Sequence, residues 1–259
     1  MPIPGITASG YRIRSLGGAA PYVADAVTFD GNDYLYASGG MGASDASTMT
    51  LSFWWRGASD VVQMPACFLV GTSYRMYAQR GATNDDLLIV ARNATPSILL
   101  NVTTPANAMP IGSWIHFMMS VDMTNSAKRH MYINGSSVSP TWTTYNSGSI
   151  DFSCNDWYVA TWYSISQKIN GDMAEFYLTN EYIDLSVQTN REKFITAAGS
   201  GAQPVDLGAD GSTPTGTAPL VYLQGTASNW NAGTNYGSGN SFTMTGSVTD
   251  SSNEPVQVP

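Results

Sequence analysis

The chain has 259 residues, of which 43% are hydrophobic and 12% charged, with a formal net charge of -8. That length can bury one large core, and that apolar content excludes a disordered chain. The acidic excess leaves no basic patch to neutralise phosphates, so neither nucleic acid nor an anionic membrane surface is an expected partner. With 14 Tyr, 7 Trp and 25 Gly, the composition suits strands and turns.

In chain order, residues 1–20 read as an extended arm rich in Gly, Pro and Ala, with Arg12 and Arg14 as its charges. It is either a frayed end or a strand that docks on a partner. It lacks the basic end and apolar centre of a secretory signal, so the chain is expected to fold where it is made. A first hairpin begins at Ala26. Val27 and Phe29 alternate, Asp30-Gly31-Asn32-Asp33 turns the chain, and Tyr34 and Tyr36 alternate again. Met49, Leu51, Phe53 and Trp55 form one face of the next strand, with Thr50, Ser52 and Trp54 on the other. Further strands are predicted over 66–71, 74–79, 87–91 and about 98–102.

Residues 112–138 read as two strands around a polar turn. Ile115, Phe117, Met119 and Val121 alternate with Trp114, His116, Met118 and Ser120; Asn125-Ser126 breaks the run. Met131 and Ile133 flank Tyr132, and Asn134-Gly135 is the dipeptide best suited to positive φ in a tight turn. Strands follow over 157–163 and 171–178. One helix is predicted over 186–198, capped by Ser186 and ended by Gly199. The last sixty residues hold two more strand patterns, 219–224 and 241–248, read as pairing back onto the body; 251–259 is read as a tail.

Three stretches carry a family resemblance. The hairpin W-x-H-F … M-Y-I-N-G (114–135) is similar to the central signature of laminin-G-like domains, members of the concanavalin A-like superfamily. AVTFDGNDYLYAS (26–38) resembles the opening hairpin of the bacterial and phage members. NGDMAEFYLTN (170–180) resembles their closing strand, with Gly171, Ala174, Glu175, Phe176 and Tyr177 in matching places. The resemblance implies an all-β, two-sheet antiparallel β-sandwich of jelly-roll topology over residues 21–250, with one short helix. Residues Gly208, Asp210, Gly211, Thr213, Pro214, Gly216 and Gly225 carry a further likeness to laminin-G-like proteins of tailed-bacteriophage structural genes.

The superfamily includes glucanases, whose retaining members need two carboxylates about 5 Å apart. The four glutamates, Glu175, Glu181, Glu192 and Glu254, show no E-x-D-x-x-E spacing. No catalytic residue is assigned, and the chain is not expected to be an enzyme. His116 reads as a hydrogen-bonded sheet residue and His130 as a solvated turn residue. Cys67 and Cys154 read as buried apolar side chains, with a disulfide as the alternative. No cofactor and no metal site is assigned. Calcium is the one candidate, through Asp30, Asn32 and Asp33 or Asn84, Asp85 and Asp86, but both stretches are also what a turn requires.

A glycan site needs aromatic faces beside amide and carboxylate groups. Trp142 and Tyr145, read as lying in the polar loop PTWTTYNSGS, and Trp230 and Tyr236 in SNWNAGTNYGSG, stand outside clean alternation. They are the candidate contacts for a glycan or a partner; the alternative is that they cover the sandwich edge. The resemblance implies a non-enzymatic phage virion protein, a capsid decoration or tail-associated subunit, assembled in the bacterial host cytoplasm. Its expected partners are other virion proteins and copies of itself, with a surface glycan as a further ligand. The alternatives are a carbohydrate-binding module for host adhesion and, behind it, a polysaccharide-cleaving hydrolase.

Overall fold

A computed structural model describes residues 22–255 except 71, 197 and 200. The expected arm over 1–20 and the end of the expected tail lie outside the described residues. The chain runs β1 (Val27–Asp30), β2 (Tyr34–Ala37), β3 (Thr48–Gly57), β4 (Gln63–Val70), β5 (Ser73–Arg80), β6 (Leu87–Arg92) and β7 (Ile98–Thr103). It continues through β8 (Ile115–Asp122), β9 (Arg129–Ile133), β10 (Ser136–Ser137), β11 (Thr141–Tyr145), β12 (Asp156–Val159) and β13 (Asn170–Thr179). Then come α1 (Gln188–Arg191), β14 (Val221–Leu223), α2 (Ala227–Asn231), β15 (Thr243–Thr245) and β16 (Thr249–Asp250).

The strands form two antiparallel sheets, the sandwich that the sequence predicts. The first has the order β10-β9-β8-β3-β13-β1-β16, with β14 also paired to β13; the second has the order β11-β7-β6-β5-β4-β12-β2-β15. Between them lies one core, with Phe29, Phe53, Phe68, Phe117, Trp55 and Trp157 among its largest side chains. The predicted tight turn forms as expected: Asn134 and Gly135 both have positive φ, 54° and 74°, between β9 and β10.

The two outer faces differ. The outer face of the first sheet carries Trp54, Trp114, Met118, Ala174 and Tyr177, and the chain beyond β13 folds over them. Ile183, Leu185, Phe194, Ile195, Ala202, Leu207 and Tyr222 form a second buried cluster there. This is why β3 and β8 are buried at almost every position. Each such large apolar side chain contributes about 1.5–3 kcal/mol when fully buried. The second sheet is covered on its outer face over β4, where Met64, Cys67 and Leu69 are buried, and keeps alternating burial along β2 and β12.

The predicted helix over 186–198 is a single turn. Ser186 donates its backbone N–H and its hydroxyl to Asp184 Oδ1, at 3.0 and 2.5 Å, and so does not cap the helix. After α1 the chain bends to bury Phe194 and Ile195, and Ile195 bridges to Pro204. Tertiary burial outweighs helix propensity here. The second helical turn, α2, is unanticipated. It starts at Thr226, whose backbone N–H donates to Asn229 Oδ1 at 3.0 Å. The strand expected over 157–163 stops at Val159, because Ala160 takes φ 68° and turns the chain out of the sheet.

Candidate functional site

Alternation along three strands builds an aromatic surface on the outer face of the second sheet. In β2, Leu35 and Ala37 enter the core while Tyr34 and Tyr36 point out; in β12, Trp157 and Val159 enter and Tyr158 points out. In β5, Met76 and Ala78 enter and Tyr77 points out. A register shift opposite Phe68 and Leu69 lets Tyr74 join Tyr77 over the outer cluster. Register places Tyr77, Cys67, Tyr158 and Tyr36 in one line across β5, β4, β12 and β2.

Residues 160–168 fold back over β4 beside that line. Met64 N–H donates to Gln167 O at 2.9 Å and Ala160 N–H to Pro65 O at 3.0 Å, fixing the loop to the strand below. The loop holds three non-glycine residues with left-handed backbone: Ala160, Ile165 (φ 61°) and Gln167 (φ 54°). Such backbone costs on the order of 1–3 kcal/mol per residue and clusters where function needs a fixed shape. It holds Trp162 edge-on to Tyr77 at 5.2 Å and 5.6 Å from Tyr74, with Tyr163 5.0 Å beyond Trp162. Ile165 at its tip is 50% exposed. Met64, Cys67 and Leu69 are buried beneath these rings.

Polar groups frame the aromatics. Tyr36 stacks on Tyr158 at 4.7 Å and donates to Asp156 Oδ1 at 2.7 Å, and that carboxylate pushes the Tyr36 phenol up to about 12. The Arg92 guanidinium lies 4.0 Å over the Tyr74 ring, and Lys168 Nζ 5.6 Å over Tyr34. Gln79 Nε2 donates to Gln167 Oε1 at 2.9 Å. Half-buried rings beside fixed donors and acceptors can stack on the apolar face of a sugar and hold its hydroxyls.

The four aromatics singled out in the sequence do not converge. Trp142 and Tyr145 lie on the edge strand β11, not in a loop. They meet edge-to-face at 5.6 Å, pack partly on the core, and share Arg129 of the facing sheet at 5.0 and 5.1 Å. Tyr145 OH also donates to Asp122 O at 2.8 Å. The pair covers the sandwich edge. Trp230 is no surface residue: it is 1% exposed and edge-on to Phe29 at 5.9 Å, so neither ring face can meet a ligand. Tyr236 packs against the outer cluster of the first sheet, its hydroxyl accepting from Asn229 Nδ2 at 2.6 Å. The signal overlooked in the sequence was the outward Tyr series with the repeated Trp-Tyr of DWYVATWYS.

The calcium candidates are turns. Asp33 is buried and accepts from Asp30 N–H at 3.1 Å and Ser247 N–H at 2.8 Å, while Asp30 accepts from Asn32 N–H at 2.8 Å. Asp85 pairs with the buried guanidinium of Arg80, which also binds Asp60. Among the described residues, no group of three His, Cys, Asp or Glu side chains is placed to hold a metal. Both cysteines are free: Cys67 lies under the outer aromatics and Cys154 in the central core, on opposite sides of the second sheet.

Glu175 is the buried carboxylate of most chemical interest. It sits at a bulge in β13 with φ 49°, where pairing changes from β1 to β14. Tyr22 donates to its Oε1 at 2.7 Å and Tyr222 to its Oε2 at 2.6 Å. Burial pushes its carboxyl up to about 7, against the lowering effect of both phenols. At 3% exposed and doubly occupied, it does not address a bound substrate. His116 is equally interior, stacked on Trp54 at 4.7 Å with Nε2 2.9 Å from Ser52 Oγ; burial holds its ring down near 3. His130 is not a freely solvated turn residue, since its Nε2 lies 3.0 Å from Tyr182 OH.

Two solved structures show the same architecture. The chain resembles a candidate carbohydrate-binding protein from Bacteroides ovatus, with TM-score 0.57 and 14% identity over 90% of this chain and 61% of that one. It also resembles a heptameric SAP-like pentraxin from Limulus polyphemus, with TM-score 0.50 and 10% identity over 66% of this chain and 83% of that one. No curated protein is significantly similar in sequence. Residues 29–184, from β1 to just beyond β13, match the laminin-G-type family model of the concanavalin A-like lectin/glucanases superfamily, and the chain belongs to that family.

Proposed function

We propose that this chain is a non-enzymatic binding module that holds a glycan on the outer face of its second sheet. The observation that carries this reading is the asymmetry of the sandwich: one sheet is covered by a buried cluster on its outer face, while the other presents a framed surface of half-exposed aromatics. The resemblance to the Bacteroides ovatus protein supports it. Placing Glu175 out of reach of a substrate, and the lack of glutamates at dyad spacing, support binding without hydrolysis. A glycan array read with the intact chain tests the reading. Selective binding that Trp162→Ala weakens supports it; no binding to any glycan overturns it.

The setting we propose is the virion of a tailed bacteriophage, assembled in the host cytoplasm, with the chain as a self-associating decoration or tail-associated subunit. The likeness of residues 208–225 to phage laminin-G-like proteins supports that setting. The same residues lie in the segment that folds over the first sheet, where Leu207 and Tyr222 are buried. Mass spectrometry of purified virions tests it, and absence of the chain from them refutes it. Light scattering tests the self-association, which a strictly monomeric chain rules out.

A further inference from the structure

The aromatic surface has a direction. Hydrogen-bonded register places Tyr36 opposite Tyr158, Tyr158 opposite Cys67, and Cys67 opposite Tyr77. Outward side chains at matched positions form a line perpendicular to the strands. Trp162 stands over the β5–β4 side of that line, edge-on to Tyr77, and takes the place of the buried Cys67 at its surface. Three strand steps separate Tyr36 from Tyr77, or ~14 Å at the usual strand spacing. Arg92 lies two residues beyond Val90, the partner of Tyr77, and Tyr34 with Lys168 lies two residues the other way from Tyr36. The polar ends therefore extend the line into a diagonal track of ~20 Å. One hexose covers a single ring; a track of this length matches several sugars in a row.

Charge selects among chains. The groups framing the track are Arg92, Lys168 and Asp156, and each is already held by a tyrosine: Arg92 on Tyr74, Lys168 over Tyr34, Asp156 by the Tyr36 hydroxyl. Two cations and one carboxylate leave a single positive charge, already placed on tyrosine rings, in a chain whose net charge is -8. An acidic polymer therefore finds no unoccupied cation on the track and meets a like-charged chain around it, whereas fixed donors and acceptors of both kinds suit hydroxyl groups. Resting on the glycan reading above, we infer that the ligand is an internal stretch of a neutral, unbranched polysaccharide of at least three sugar units, laid across the strands β5, β4, β12 and β2.

Isothermal titration of the intact chain with graded probes decides this. The neutral probes are cello-, xylo- and laminari-oligosaccharides of one to six units, and the acidic probes are oligogalacturonates of the same lengths. The expected result is affinity for one neutral series that rises about tenfold or more from monomer to tetramer and then levels off. Tyr158→Ala and Trp162→Ala, at opposite sides of the line, should each reduce tetramer affinity about tenfold while thermal unfolding confirms the fold. Equal affinity for monomer and tetramer overturns the extended-chain inference and leaves glycan binding standing. Preference for the galacturonates overturns the neutral-ligand inference in the same way. Binding to none of these probes, nor to any glycan of the array, removes the glycan reading itself.

Discussion

The phenol of Tyr222 donates a 2.6 Å hydrogen bond to Glu175, and that bond joins β14 to the bulge of β13 beneath the chain that enters at Tyr22. Burial makes Glu175 hold its proton more tightly in the folded chain than in the unfolded one, with the carboxyl moving from 4.5 to about 7. The folded state therefore binds more protons across that interval. Its stability falls as pH rises from 4.5 to 7, by about 3 kcal/mol in total for this one group. Thermal unfolding measured in steps across this window should show the decline, and Glu175→Gln should flatten it. A Gln variant with the same pH slope as the parent would move the effect to another group.

Trp162 and Trp142 give opposite expectations although both are half-buried tryptophans. Trp162 stands on the proposed glycan track, whereas Trp142 seals an edge against Tyr145 and Arg129. Trp162→Ala should weaken glycan binding, with a fall in melting temperature no larger than that of Trp142→Ala. Trp142→Ala should leave binding intact and cost on the order of 1–3 kcal/mol of stability. Titration and thermal melts of both variants check the pair.

Trp230 should behave as a core residue. Its ring is 1% exposed and meets Phe29 edge-on. Trp230→Ala should cost about 3–5 kcal/mol in urea unfolding, through lost burial and the cavity left behind. A change below about 1 kcal/mol would contradict the packing described for it.

The Asp30–Asp33 turn should not respond to calcium. Both oxygens of Asp33 are committed to backbone N–H groups of Asp30 and Ser247. Melting temperatures in calcium and in EDTA should coincide, while Asp33→Ala should lose about 1–3 kcal/mol by leaving those donors unsatisfied. A calcium-dependent rise in melting temperature would return this loop to the list of metal sites.

Cys67 and Cys154 should react slowly with thiol reagents until the chain unfolds. Burial raises both thiols, Cys67 to about 12, so the reactive thiolate is scarce at neutral pH. Ellman titration with and without denaturant should show two thiols only in denaturant.

Much of the fold was legible in the sequence because it is local. A period of two fixes which residues of β2, β5 and β12 turn inward, and Asn134-Gly135 specifies its turn through the left-handed backbone those residues tolerate. The expected aromatics went astray for a physical reason. Departure from alternation marks a residue as irregular, but only its neighbours decide whether it is exposed, and Trp230 on the short helix α2 is drawn into the core by Phe29. The surface that does gather aromatics obeys alternation and so looked like ordinary strand. Sequence by itself determined most of the strands, their inward faces and the family likeness, but not β11 or the early end of β12. The tertiary structure alone decided which outer face keeps exposed rings, because that depends on what folds over each sheet: the chain beyond β13 buries Trp54, Trp114 and Tyr177 of the first sheet and leaves Tyr36 and Tyr158 of the second half-exposed beside Trp162.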